Sequence, residues 1–259
     1  MNNLIQWPRA KYWDKTWNPI IGCKPCSPAC ENCYAASWAK RFGQSFEPHR
    51  TGQRPPKKGV VFAGNMTDLF GEWVEDPSDF LMEPHRDKVD ENAVYLWLTK
   101  RVERMIYAVN QLAPRPFWDK GMWRGEHYFG FTAENQEWYD RRVAELGKRP
   151  QWMQWWVSAE PLLGPIDFHF FVRDEVTGEM CIDGRKTPQL VIVGCESGPN
   201  RRPCKIEWVE SIVEQCRKAG VLCFVKQLDI NGVCVTDINK FPEHLRIRQV
   251  PWAKEGGVK

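Results

Sequence analysis

Four cysteines near the start of the chain are the residues whose type and spacing point most directly to chemistry. Cys23, Cys26, Cys30 and Cys33 fall within eleven residues, in the pattern Cys-x2-Cys-x3-Cys-x2-Cys. Thiolates are soft ligands that favour zinc and iron–sulfur clusters. A structural zinc site usually joins two cysteine pairs a dozen or more residues apart. The compressed spacing here favours a [4Fe–4S] cluster, because its irons sit at separate corners that a short loop can reach.

Two sets of three ligands are open within this loop. Cys26, Cys30 and Cys33 give Cys-x3-Cys-x2-Cys, the spacing with which radical S-adenosylmethionine enzymes hold three irons and leave the fourth to the cofactor. Cys23, Cys30 and Cys33 form the other set, with Cys26 as a bystander.

The amino-acid composition is that of an ordinary globular protein, and the remaining cysteines are not spaced as metal ligands. Hydrophobic residues make up 42% and charged residues 27% of 259 residues, which excludes disordered and collagen-like classes. A net charge of +3 is too small to predict nucleic-acid binding, which needs a concentrated basic face. The other cysteines show no ligand spacing, and we interpret Cys195, Cys204, Cys216 and Cys223 as small core residues.

No run of about 18 apolar residues and no secretory signal are found in the sequence. We therefore expect no membrane span and a cytoplasmic protein, in the host cytoplasm if it is encoded by a phage. Free thiols are expected in that compartment, because its reducing conditions oppose disulfides.

Short apolar runs alternate with amphipathic patterns along the chain. Strands are predicted at residues 59–63, 94–98, 128–131, 153–157, 190–193 and 221–225, with an earlier one at 16–21. Helices are predicted at 101–112, 134–146 and 206–218, and from Pro77 to near Val89. This alternation predicts an α/β fold with a parallel sheet, either doubly wound or closed into a barrel.

Polar residues follow every predicted strand, which favours the barrel. In a (β/α) TIM-type barrel these positions converge on one mouth, where active sites are built. We therefore predict a single domain over residues 1–259, a partial or complete barrel with the cluster-binding loop at 22–34. Residues 168–188 interrupt the pattern and are expected to form an inserted hairpin, with its turn at residues 174–179.

Several segments resemble one specific family. Residues 16–23 and 27–35 resemble the opening motif of a family of phage and prophage proteins of unknown function, the Gp37/Gp68-like proteins, described as radical-SAM-like barrel proteins. Further resemblances cover nearly the whole chain: residues 68–70, 98–101, 103–105, 134–136, 140–142, 158–166, 194–199 and 225–227. The resemblance implies a radical-SAM-like barrel with an iron–sulfur cluster and, if the protein is an enzyme, reductive cleavage of S-adenosylmethionine.

Two departures limit what the resemblance implies. The family's usual first ligand corresponds to Cys23, whereas Cys26 stands where cysteine is not usual, so a fully cysteine-ligated cluster is also open. Radical-SAM enzymes carry Gly-Gly-Glu after the second strand, but Gly64 to Asp68 reads Gly-Asn-Met-Thr-Asp. The open iron could instead take the phenolate of Tyr34, which we otherwise interpret as a buried aromatic beside the cluster.

The strand exits supply the candidate ligand-binding residues. Lys100, Arg101, Arg202 and Lys226 would supply positive charge to an anionic ligand such as a nucleotide or a cofactor carboxylate. Glu160 and Glu196 could bind ribose hydroxyls, an amino group or lysines, or belong to a buried ion-pair network. The other candidates at the mouth are Asn65, Asp68, Glu134, Asn135 and Ser197.

Two functions remain open from the sequence. The first is a radical S-adenosylmethionine-type enzyme acting on a nucleotide or nucleic-acid substrate. The alternative is an iron–sulfur protein with a closed fourth iron site, bound by Tyr or Cys, that serves a redox, structural or ligand-binding role. Either one, if redox-active, needs an electron donor.

Overall fold

The structure, a computed structural model, describes residues 6–112, 125–173, 180–182 and 187–253. The chain divides into two compact units. We call Trp13–Thr132 with Ala144–Gln154 the amino-terminal unit. Met1–Tyr12, Ala133–Val143 and Trp155–Lys259 form the carboxyl-terminal unit.

The described strands and α-helices follow one another in the order that the sequence predicts, with additions. The strands are β1 (Lys15–Trp17), β2 (Ile20–Ile21), β3 (His49–Arg50), β4 (Val60–Ala63), β5 (Val94–Thr99), β6 (Glu126–Thr132), β7 (Gln154–Ala159), β8 (Phe171–Arg173), β9 (Met180–Ile182), β10 (Leu190–Gly194), β11 (Leu222–Ile230) and β12 (Val233–Val235). The helices are α1 (Tyr34–Arg41), α2 (Ser78–Arg86), α3 (Val102–Leu112), α4 (Gln136–Glu145) and α5 (Ile206–Ala219).

Four parallel strands organise the amino-terminal unit. They lie in the order β1, β4, β5, β6, with Trp17 opposite Ala63 and Thr99 opposite Phe131. Every residue of β4 is buried, as expected for a strand that is covered on both faces. Parallel strands present their carboxyl ends at one edge, so the exits of β1, β4 and β5 lie together.

The helices of this unit are amphipathic, as predicted. Helix α3 buries Val102, Met105, Ile106 and Val109, the four residues that the periodicity assigns to one face. Helix α2 begins directly after Pro77 and ends at Arg86, three residues before the predicted end.

The predicted strand at residues 16–21 is wrong in one respect, because the structure splits it into β1 and β2. Between them, the Asn18 side chain donates to Asn65 Oδ1 at 2.7 Å and accepts from the Met66 backbone N–H at 3.0 Å. Pro19 cannot donate a ladder hydrogen bond. Strand β2 pairs antiparallel with β3 instead, so the chain leaves the parallel sheet before it enters the cysteine loop.

The carboxyl-terminal unit repeats the parallel arrangement. Strands β7, β10 and β11 are parallel neighbours, and β12 adds an antiparallel strand beside β11. Helix α5 ends at Ala219 and is capped by Gly220, whose φ of 67° is the left-handed conformation typical of a helix C-terminus.

The predicted insertion is confirmed by the antiparallel pairing of β8 with β9. Its turn at residues 174–179 lies outside the described residues.

The predicted α/β class, with mostly parallel strands alternating with helices, is thus confirmed. Across the described ranges, no helix has the length and apolar character needed to cross a membrane.

Candidate functional site

The cysteine loop begins at Gly22, a position whose backbone conformation and close neighbours only glycine can accommodate. Gly22 has φ of 99°, and a Cβ built there would lie 2.4 Å from the Glu47 carbonyl oxygen. Its N–H donates to the Met66 carbonyl at 3.1 Å, and its own carbonyl accepts from the Thr67 hydroxyl at 2.5 Å. These bonds fix the start of the loop to the turn after β4.

A short turn shapes the rest of the loop. Residues Pro28–Cys30 form a 3-10 turn, in which the Cys30 N–H donates to the Ser27 carbonyl at 2.9 Å. The Cys33 N–H then donates to the Cys30 carbonyl at 3.3 Å. Cys33 stands at the N-cap of α1, where its side chain makes no capping hydrogen bond.

Three of the four loop thiols lie close enough to influence one another. All four are partly exposed. A hydrogen bond from Cys26 lowers the pKa of Cys30 to about 4, and the same interaction raises the pKa of Cys26. Burial raises the pKa of Cys23 to about 11, and the negative charges of Asp68 and Cys30 add to it. Cys26 and Cys30 therefore act as one thiol–thiolate pair, with Cys23 beside it.

The exit of β5 brings positive charge to this loop. After the hydrogen bond from Cys26, the charge of Lys100 also helps to lower the pKa of Cys30. The Arg101 guanidinium donates through Nη2 to the Lys24 carbonyl at 3.0 Å. Both predicted cations thus lie next to the loop, and Arg101 holds its backbone.

Asp68 connects the exits of β4 and β5. Its carboxylate accepts the Thr99 hydroxyl at 2.7 Å, the Phe70 N–H at 3.0 Å and the Lys100 N–H at 3.1 Å. It also pairs with Arg101 Nη1 at 3.2 Å. Because burial removes water from the carboxylate, these hydrogen bonds and the ion pair compensate for the cost of its desolvation.

Tyr34 differs from what the sequence predicts, whereas Asn65 lies at the exit of β4. Tyr34 is 52% exposed, so the interpretation as a buried aromatic is wrong: the first turn of α1 directs it to the surface. Its hydroxyl donates to the Asn65 backbone carbonyl. The Asn65 side chain accepts a hydrogen bond from Asn18. Asn65 thus belongs to the turn after β4, whose next two residues bond to Gly22.

Among the described residues, no group of three or more His, Cys, Asp or Glu side chains is placed to hold a metal ion. The four loop cysteines are free thiols.

In the carboxyl-terminal unit, Glu134 is fully buried and pairs with Arg142, whose guanidinium also lies 4.5 Å from the ring centre of Trp138. Asn135 accepts the Trp138 N–H at 3.1 Å and so caps α4. Both residues are bound by groups of their own unit.

The other charged candidates of this unit also form ion pairs. Lys226 donates to Glu160. Glu196, only 4% exposed, accepts the Arg202 backbone N–H at 2.8 Å and Nε at 3.0 Å. Ser197 is exposed. Each of these two glutamates therefore forms an ion pair at its strand end.

Three contributors to these sites were missed from the sequence. Glu72 accepts Arg101 Nε at 2.9 Å, and its spacing of four residues from Asp68 was an available signal. Arg142 and Asn18 act through tertiary contacts, for which the local sequence carries no signal.

Comparison with known proteins identifies the family but no characterised relative. No curated protein and no solved structure matches the chain. Residues 8–233 match a family described as "Protein of unknown function (DUF5131)". That match covers most of the 259 residues, and the chain therefore belongs to the DUF5131 family.

Proposed function

We propose that this chain is an iron–sulfur protein, and that the loop at residues 22–34 binds a [4Fe–4S] cluster. Cys30 and Cys33 would be two of its ligands, and Cys26 or Cys23 the third. With three ligands the fourth iron would be open, and the protein would act as a radical S-adenosylmethionine-type enzyme.

One observation carries the proposal. Four partly exposed free thiols stand in one short loop that follows β2 and is bonded to the exits of β4 and β5 through Gly22 and Arg101. Carboxyl ends of parallel strands are where α/β folds place cofactors. The hydrogen bonds of Gly22 and the 3-10 turn at Pro28–Cys30 stabilise the backbone of this loop. The loop can therefore present its thiols to a cluster without needing a metal ion to order its backbone.

The donor set fits the chemistry of the cluster. Thiolates are the usual ligands of [4Fe–4S] clusters, and the Cys30 thiol is already biased towards its thiolate. Lys100 and Arg101 place two positive charges near the loop. These charges would partly offset the negative charge that four sulfides and several thiolates bring to such a site.

When bound, the cluster would supply the single electron that cleaves S-adenosylmethionine reductively. The chain's own residues would position it. Arg101 would keep the Lys24 carbonyl, and with it the loop backbone, in place, while Asp68 and Glu72 hold Arg101. Lys100 would offer its ammonium group to an anionic ligand such as a carboxylate or phosphate.

The presence of a fourth cysteine favours a second candidate function. If both Cys23 and Cys26 bind iron, no iron is open, and the protein would serve in electron transfer or ligand binding. Asn65, Met66 and Thr67 occupy the turn where a radical-SAM enzyme would carry Gly-Gly-Glu, which also supports this alternative.

The proposal also includes the closure of the sheet into a barrel and the class of substrate. A partial or complete radical-SAM-like barrel is expected from the resemblance to Gp37/Gp68-like phage proteins and from the polar strand exits. The phage context of that family and the aromatic and basic residues of the predicted mouth suggest a nucleotide or nucleic-acid base as the substrate, and a redox-active cluster would need an electron donor.

Anaerobic reconstitution with iron and sulfide tests the proposal. We expect about four irons and four sulfides per chain and a broad absorption near about 400 nm. Cys30→Ala and Cys33→Ala should each lose most of the iron. Cys181→Ala, which removes an exposed cysteine outside the loop, is the matched control and should retain it.

Two results would overturn the proposal. One is a folded wild-type protein that takes up no iron after reconstitution. The other is iron uptake that Cys30→Ala and Cys33→Ala leave unchanged, since the iron would then be bound elsewhere.

A further inference from the structure

Helix α1 and the residue that caps it expose three aromatic side chains on one side. Tyr34, Trp38 and Phe42 follow one another at intervals of four residues, a spacing that places side chains on the same face of a helix. They are three of the six large apolar side chains that are exposed among the described residues. The Trp38 and Phe42 rings contact each other, with their centres 4.8 Å apart. We call these three residues the aromatic face.

The buried side of α1 is made of small residues. Ala35 is 3% exposed and Ala39 is 1% exposed, whereas a surface helix normally buries its largest apolar residues against the core. Aromatic rings lose far more apolar area to water than alanine does when they stay outside. An exposed cluster of such side chains is typical of a binding surface.

The segment around the aromatic face is basic. Residues 22–54, which include the cysteine loop and α1, contain five Lys or Arg and two Glu, whereas the whole chain contains 36 Lys or Arg and 33 Asp or Glu. Lys40 and Arg41 are exposed in the last turn of α1. The Arg41 guanidinium carbon lies 5.9 Å from the centre of the Phe42 ring. Positive charge and aromatic rings therefore occur together on this surface.

This combination indicates which partner fits. A two-fold interface pairs a surface with itself, so a second copy of the chain would bring the same basic residues together. A single strand of nucleic acid supplies phosphates for Lys and Arg, and its bases stack on aromatic rings. A duplex keeps the faces of its bases inside the stack, where exposed rings cannot reach them.

We propose that the aromatic face, together with Lys40 and Arg41, binds single-stranded nucleic acid. Bases stack on the Trp38 and Phe42 rings, and the two cations neutralise neighbouring phosphates. The contacts use only bases and phosphates, which DNA and RNA share.

The position of α1 connects this surface with the proposed function. Cys33 is the N-cap of α1 and Tyr34 is its first residue, so a strand held on the aromatic face lies next to the cysteine loop. The inference deepens the proposed function and rests on it in one respect, because it gives a nucleic-acid base a way to reach the cluster. The binding itself needs only the folded chain.

Fluorescence anisotropy with a labelled oligo(dT) of about twelve nucleotides tests the proposal on the metal-free full chain. We expect a Kd of about 1–10 µM at low salt. Raising the salt fourfold should weaken binding about sevenfold, because each of the two cations releases about 0.7 counterion from a single strand. Oligo(rU) of the same length should bind with a similar Kd.

Substitutions of the rings test the stacking. Trp38→Ala and Phe42→Ala should each weaken binding about tenfold. Tyr107→Ala is the matched control and should leave the Kd unchanged, because Tyr107 is 56% exposed, against 57% for Phe42, but lies on α3. Circular dichroism should show that all three variants fold like wild type.

Substitutions of the cations test the phosphate contacts. Arg41→Gln should weaken binding at low salt and reduce the salt dependence by about 0.7 counterion. Arg86→Gln, which removes an exposed arginine of α2, is its control and should change neither quantity.

Three results would overturn the proposal. One is a folded wild-type chain that does not bind the oligonucleotide, and another is equal affinity of wild type, Trp38→Ala and Phe42→Ala. The third is displacement of the oligonucleotide by poly-glutamate as effectively as by unlabelled oligo(dT), since the surface would then recognise charge alone, as for an acidic protein. Because no iron is used, a chain that binds iron but no oligonucleotide contradicts this inference alone.

Discussion

Asp68 and Arg101 form an ion pair in which both side chains are only 9% exposed, with Oδ2 and Nη1 3.2 Å apart. The same guanidinium donates to the Lys24 carbonyl. Arg101 therefore joins the exits of both β4 and β5 to the backbone of the cysteine loop, and the stability of this unit and the shape of the loop should change together.

Asp68→Asn tests that coupling. The substitution keeps the size of the side chain but leaves the Arg101 charge without its buried partner, so we expect the free energy of unfolding to fall by about 3 kcal/mol. Urea denaturation measures this change. Glu137→Gln, which removes an exposed pair with Arg141, should change it by less than about 0.5 kcal/mol; equal effects would contradict a structural role for Asp68.

Gly22→Ala should disrupt the start of the cysteine loop. The added Cβ meets the Glu47 carbonyl, and the positive φ is strained for any other residue. We expect a loss of about 2–4 kcal/mol in unfolding free energy and reduced iron uptake on reconstitution.

Gly52→Ala is the matched control for this substitution. It has a similar positive φ of 73°, but no atom lies within 4 Å of its added Cβ. We expect it to lose only about 1 kcal/mol and to keep its iron. If both variants behave alike, backbone strain alone explains the effect.

Much of the amino-terminal unit follows from local sequence. Buried apolar runs predict β4 and β5, and four apolar positions at helical spacing predict the buried face of α3. The break between β1 and β2 could not be predicted, because it depends on side-chain contacts of Asn18 with residues 47 and 48 positions away.

For the charged candidates at the strand ends, the sequence likewise predicted the residues but not their tertiary contacts. Their polar character at strand ends could be predicted, but not their partners: Lys226 donates to Glu160, and Arg202 donates to Glu196. The contact between the Cys195 and Cys234 thiols likewise arises only through the pairing of β10, β11 and β12. Such pairings depend on the tertiary fold.

Cys30 of the metal-free protein should still react with iodoacetamide at an unusually low pH. Its lowered pKa, about 4, means that the thiolate persists as the pH falls from 8 to about 5.5, so the alkylation rate should stay nearly constant over this range. In urea, where the pKa is about 8.5, the rate should rise about tenfold per pH unit. Peptide mass spectrometry follows the rate; a native rate that rises as in urea would contradict the prediction.

Lys226 and Glu160 should be energetically coupled. Their side chains are 21% and 16% exposed, so each charge is partly desolvated and depends on the other. In a double-mutant cycle with Lys226→Met and Glu160→Gln, we expect a coupling energy of about 1–2 kcal/mol, measured by urea denaturation. Additive effects would contradict this coupling and show that the two charges act independently of each other.

The most direct test of the central claim is electron paramagnetic resonance of the anaerobically reconstituted and reduced protein, with and without S-adenosylmethionine. Wild type should give the signal of a reduced [4Fe–4S] cluster that changes on addition of the cofactor. Either Cys23→Ala or Cys26→Ala should lose it, which identifies the third ligand. A cluster signal indifferent to the cofactor would contradict the open iron and favour the closed cluster, whereas a folded protein with no iron and no signal would contradict the iron–sulfur function itself.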